Sequence, residues 1–129
     1  MTINRVQFST GVAAGEDGSA TATGYSSGPM VGRVLAVHVD YLDSPPATTD
    51  FTLKDMSDPA AESIVSLVDQ ATDIKIYPRR LVETNDGTDL TYDGTRKVYE
   101  PYIVHGRLAG VIAQANAADS CTVTVWIEE

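Results

Sequence analysis

The feature that most constrains this chain is a two-residue hydrophobic alternation. It returns in short bursts, and a turn signal cuts each burst. Side chains on a strand point alternately to opposite faces, so such bursts fit half-buried strands and cannot form an apolar stripe on a helix. Val6 and Phe8 alternate with Gln7 and Ser9 before Gly11 to Gly15 and Glu16-Asp17-Gly18 break the run. Ser19 to Tyr25, rich in Thr and Ala, reads as a weak, exposed strand. Met30 to Leu42 is the strongest run: Leu35, Val37, Val39 and Tyr41 form its core face, and Val34, Ala36, His38 and Asp40 the other. Asp43-Ser44-Pro45-Pro46 stops it, because neither proline donates to a ladder.

The rest follows the same rule. Phe51 and Leu53 alternate with Asp50, Thr52 and Lys54. Residues 58–71 read two ways: Ala60, Ile64, Leu67, Val68 and Ala71 have helical spacing behind Asp58-Pro59, whereas β-branched Ile64-Val65-Ser66-Leu67-Val68 favours a strand, the reading adopted. Ile74 and Ile76 alternate up to Pro78, which implies an edge or a bulge. Residues 83–97 are polar, with turn signatures at Asn85-Asp86-Gly87 and Asp93-Gly94, an excursion in which Leu90 and Tyr92 support a hairpin. Tyr102 to Val104, Arg107 to Ala115 and Cys121 to Ile127 complete the set, with Gly106 expected as a bulge. Cys121, Val123, Val125 and Ile127 face one way, Thr122, Thr124 and Trp126 the other. The sum is an all-β, single-domain, jelly-roll-like β-sandwich of about eight or nine short strands over residues 1–129, with a short N-terminal arm (1–7) and a polar excursion loop (83–97).

Composition narrows the partners. The formal charge is −9 on 129 residues. Nucleic acid and anionic membrane surfaces both demand clustered Lys and Arg, so neither is expected as a partner. A hydrophobic fraction of 43% opposes disorder. The single Cys121 excludes an internal disulfide framework. No secretory leader or spanning segment is apparent, so the chain reads as made in the cytoplasm. The acid excess is uneven: residues 1–74 carry net −7, residues 108–129 net −3, and residues 75–107 net +1. That last stretch is either a mixed-charge loop in solvent or a face for an acidic partner.

No constellation promises catalysis, a metal or a cofactor. Gly24-Tyr25-Ser26-Ser27-Gly28 matches the nucleophile-elbow pattern, but Pro29 and a β-run follow where that motif needs a helix. His38 and His105 are too few for a metal site and read as structural or surface residues. Asp86, Asp89 and Asp93 offer oxygen ligands for calcium without the EF-hand spacing, and Asp beside Gly is ordinary turn chemistry. Trp126, beside Thr122 and Thr124, reads as packed in an inner or intersubunit face, with sugar stacking as the alternative.

Two segments resemble small virion proteins of tailed bacteriophages. One is Gly32-Arg33-Val34-Leu35-Ala36-Val37-His38-Val39-Asp40-Tyr41 followed by Thr49-Asp50-Phe51-Thr52-Leu53-Lys54-Asp55. The other is Tyr77-Pro78-Arg79-Arg80 with Tyr99-Glu100-Pro101-Tyr102-Ile103-Val104-His105-Gly106-Arg107-Leu108. In order and spacing they are similar to capsid decoration, or cement, proteins over most of the chain. The resemblance implies a non-enzymatic homotrimer without cofactor, bound to the major capsid protein at three-fold positions on the outside of the virion. Candidate capsid or subunit contacts are Thr2, Ile3, Asn4 and Arg5 and the basic residues Arg79, Arg80, Arg96 and Lys97. The alternative is a tail- or fibre-associated sandwich that binds a host-surface glycan.

Overall fold

The turn signals fall between strands in the computed structural model, which describes residues 1–129 and contains eleven strands and no helix. They are β1 (Ile3–Ser9), β2 (Ala20–Tyr25), β3 (Gly32–Leu42), β4 (Asp50–Asp55), β5 (Ser63–Leu67), β6 (Ile74–Ile76), β7 (Arg79–Leu81), β8 (Tyr99–Pro101), β9 (Ile103–Val104), β10 (Leu108–Ala115) and β11 (Ser120–Glu128). The larger sheet runs β1-β11-β3-β6, with β9 beside the start of β3; the smaller runs β2-β10-β4-β5. Without β7 to β9, the first strand pairs with the last, the second with the penultimate, the third with the sixth and the fourth with the fifth, all antiparallel. That nesting in two sheets is the jelly-roll arrangement.

The core lies between the sheets. Phe51, Leu53, Leu108, Ile112, Val37, Val39, Val123, Val125 and Ile127 are essentially fully buried. Each such side chain contributes about 1.5–3 kcal/mol on leaving water. The expected faces hold along β4 and β11 but break inside β3. Val34 is buried and Leu35 only half-buried, the reverse of the expectation. The cause is a bulge: Trp126 pairs with Ala36 and Ile127 with Val34, so Leu35 is an extra residue and the alternation changes phase there.

Residues 58–71 hold β5 and no helix, as the β-branched run requires. Gly106 is not a bulge within a strand but part of the short turn between β9 and β10. Nor are residues 3–7 a free arm: they belong to β1, in register with β11 from Ile3–Glu128 to Ser9–Thr122. The alternating Val6 and Phe8 bring the chain's start into the sandwich. The polar excursion forms the end of the β7–β8 hairpin. It is closed by the hydrogen bonds Val82 N–H to Val98 O (2.9 Å) and Leu90 N–H to Val82 O (2.8 Å).

Candidate functional site

The two outer faces of the sandwich differ in chemistry. On the smaller sheet, Thr23, Val111, Thr52 and Ser66 lie in one row across β2, β10, β4 and β5, and Tyr25, Ala109 and Lys54 in the next, with Arg107 over the Tyr25 ring. The larger sheet carries more large side chains. One row across it reads Ile3, Glu128, Arg33, Ile103. The next reads Arg5, Trp126, Ala36, and continuation of the β3–β6 register sets Tyr77 beside Ala36. The third reads Gln7, Thr124, His38, Lys75.

These rows are partly organised already. Arg33 Nη2 meets Glu128 Oε1 at 2.6 Å, and Gln7 Nε2 donates to Thr124 Oγ1 at 3.0 Å. Lys75 Nζ lies 4.4 Å from the Trp126 ring centroid and 5.6 Å from that of Tyr77, so one ammonium ties two rings together over the small Ala36. Apolar surface remains open around them: Ile3 is 53% exposed, Tyr77 61% and Ile103 75%. Aromatic and Arg side chains gathered on one face are the composition of a protein interface core. The Trp126 parity expected from the sequence holds, but its company does not follow from the sequence: Ile3, Tyr77 and Ile103 come from three remote segments.

The candidate contact residues fall into two places. Thr2, Ile3, Asn4 and Arg5 lie at the start of β1, and Ile3 and Arg5 belong to the rows above. Arg79 stands at the base of the hairpin, where its Nη1 donates to Leu35 O (3.1 Å) and Pro78 O (2.8 Å), at the bulge of the same sheet. Arg80, Arg96 and Lys97 bind carboxylates of their own hairpin. Arg80 pairs with Glu100 at 2.8 Å, Arg96 with Asp93 at 3.3 Å, and Lys97 with Asp89. Net +1 in this stretch therefore describes a self-neutralised hairpin more than a free basic patch.

The carboxylates considered for calcium are engaged within their own turns. Asp86 accepts from the Thr84 and Thr88 hydroxyls, and these bonds hold its carboxyl below the usual carboxylate range. Asp93 accepts from the Arg96 and Thr95 N–H groups, with the same effect. No three His, Cys, Asp or Glu side chains gather as a metal-holding group. His38 lies on the outer face of β3, whereas His105 follows β9 and gives its N–H to Asp55. Burial pushes the Cys121 thiol up to about 12, with Asp119, Asp40 and Asp73 adding to it, which suppresses the nucleophilic thiolate.

Ser26 is wholly buried. Its hydroxyl accepts from Leu108 N–H (3.0 Å) and donates to Gly28 O (2.8 Å), so it pins the 26–28 loop to β10. Ser26→Ala is accordingly expected to cost about 1–2 kcal/mol in urea unfolding, since it leaves the buried Leu108 N–H unpaired.

No protein-family model matches the sequence, and no curated protein is similar to it. The fold is similar to that of FLHE, with 15% identity, all of both chains covered and a TM-score of 0.54. Weaker likenesses are the xylan-binding module CBM86 from Roseburia intestinalis (14% identity, 97% of this chain and 95% of that one, TM-score 0.45) and the module CBM6cm-2 of Cellvibrio mixtus lichenase 5A in complex with cellotriose (9%, 100% and 99%, TM-score 0.41). At such identities the likeness to FLHE is one of fold. The chain is an all-β jelly-roll sandwich.

Proposed function

We propose that this chain is a non-catalytic decoration protein of a tailed-phage capsid, which seats the outer face of its larger sheet on the major capsid protein. The observation that carries the reading is the gathering of Trp126, Tyr77, Arg5, Arg33, Ile3 and Ile103 on one outer face. The resemblance of residues 32–41 with 49–55, and of 77–80 with 99–108, to cement proteins supplies the partner. The proposal includes assembly as a homotrimer, in which three weak contacts gain avidity from simultaneous engagement. The acid excess elsewhere favours solubility at the density of a decorated shell.

Co-sedimentation with undecorated phage heads tests this. The chain is expected to pellet with heads, and Trp126→Ala with Tyr77→Ala to weaken binding by about thirtyfold or more while the melting transition stays cooperative, since anchors of this kind contribute about 2 kcal/mol. Failure of the folded chain to bind heads overturns the reading. Saturable binding of an oligosaccharide, lost in the same double variant, replaces it with the glycan-binding alternative. In that case the sugar has to displace Lys75 from the Trp126 ring.

A further inference from the structure

The sandwich has several sheet edges, and all but one carry a protecting device. On the larger sheet, β6 is three residues long and runs into Pro78, and β9 is two residues long. On the smaller sheet, Ala14 bridges Thr21 of β2 through two backbone hydrogen bonds (3.0 and 3.1 Å). β5 is bent by a register shift at Leu53/Lys54 of its neighbour. β1 is seven residues long, pairs with β11 without a shift, and contains no proline and a single charge, Arg5.

The direction of its free groups follows from the register. Glu129 N–H donates to Thr2 O and Thr10 N–H to Cys121 O, both at 2.9 Å. Alternation along an unbroken antiparallel pair then turns the hydrogen-bonding groups of Asn4, Val6 and Phe8 toward β11 and those of Ile3, Arg5 and Gln7 outward. Beside this edge lies a groove of about 340 Å³ lined by apolar Val6, Pro29, Met30, Val31 and Ile127 together with Asn4, Arg5 and Glu129. It provides a seat for the inward side chains of an added strand.

The geometry points to β1 as an acceptor edge for an extended segment of another protein, apolar at alternate positions and carrying Asp or Glu opposite Arg5. Charge selects this occupant. The other basic residues on the larger sheet's outer face, Arg33 and Lys75, are held by Glu128 and by two rings, whereas Arg5 makes no ion pair and no side-chain hydrogen bond. A second copy pairing its own β1 over all seven residues would set Arg5 against Gln7, and a register centred on Arg5 would set it against a like charge, so neither offers it a carboxylate. A carboxylate there turns repulsion into attraction, and the backbone bonds of strand addition supply most of the affinity. The edge adjoins the aromatic rows and shares Ile3 and Arg5 with them, but strand addition uses the outward backbone groups of β1 and does not depend on the partner being a capsid.

The test uses the ¹⁵N-labelled full chain and capped peptides of alternating Thr and Val with a central Glu or a central Lys. Amide exchange in the free chain should be fast at Ile3, Arg5 and Gln7 and slow at Asn4, Val6 and Phe8. The Glu peptide should protect the three fast amides saturably and bind about fivefold tighter than the Lys peptide. Arg5→Glu, which breaks no internal bond, should reverse that order, and Arg5→Pro, which removes an outward N–H, should abolish binding with β11 pairing retained. Lack of protection at Ile3, Arg5 and Gln7, or equal affinity for both peptides in the parent and in Arg5→Glu, overturns the proposal.

Discussion

Gly24→Val is expected to unfold the sandwich or to cost at least ~4 kcal/mol in urea titration, because the space for a side chain is filled by backbone. Gly24 sits in β2 opposite Gly110 of β10, where the chain leaving β1 crosses close to the second sheet. A Cβ there would overlap the Ser9 carbonyl oxygen and lie 2.6 Å from Thr10 Cα. That obstacle cannot retreat. Thr10 N–H is bound to Cys121 O at 2.9 Å, and Cys121 N–H to Thr10 Oγ1 at 3.0 Å, so moving it breaks the end of the β1–β11 ladder. Gly28→Ala is the control: nothing lies within 4 Å of its Cβ position, and its effect should stay within about 0.5 kcal/mol. Equal midpoints for the two variants would refute the close approach of Ser9 to β2.

Asp55→Asn should cost about 2–4 kcal/mol near neutral pH and much less in acid. Asp55 ends β4 and is 8% exposed. Its Oδ1 accepts from Ser57 N–H (2.9 Å) and Ser57 Oγ (2.8 Å), and its Oδ2 from His105 N–H (2.8 Å). The carboxylate thus fastens the turn after β4 to the segment entering β10. Asparagine keeps one acceptor and points N–H groups at a donor. Burial alone raises the Asp55 pKa, but the Ser57 and His105 N–H groups, the Ser57 hydroxyl and the Gly106 N–H outweigh it and hold the carboxyl below the usual carboxylate range. The folded pKa lies below the unfolded one, so this stabilisation is fully present above the unfolded value of about 3.9 and is lost as pH falls through the folded value. Urea midpoints of parent and variant should therefore differ at pH 7 and converge toward pH 2. A difference of equal size at both pH values would show that the carboxylate charge has no part in the fastening.

Most strands are legible in the sequence because each depends on its own residues. Phe51 and Leu53 alternate with polar neighbours, and Cys121 to Ile127 do so over the longest unbroken stretch; both appear as read. Residues 63–67 form a strand because a β-branched run outweighs apolar spacing that also fits a helix. The phase error in β3 has a different origin. Nothing in Val34-Leu35-Ala36 marks an extra residue; the bulge exists only in relation to Trp126 and Ile127 of a strand some ninety positions away. Likewise, residues 1–7 look like an arm until β11 is placed beside them. The larger sheet's outer face was half legible: parity put Trp126 with Thr122 and Thr124 on the side of β11 opposite Val123 and Val125, but no local pattern joins it to Ile3, Tyr77 or Ile103.

By itself, then, the sequence determined the all-β class, the turns at Gly and Pro, the acidic balance and the side of β11 on which Trp126 stands. These are local consequences of backbone preference and two-residue parity. The tertiary structure alone decided that the first strand pairs with the last, that Val34 and not Leu35 enters the core, that Ser26 is a buried fastener, and that β1 keeps one side open. Those outcomes depend on which distant strands meet, and period two is compatible with many pairings until two sheets close on one core.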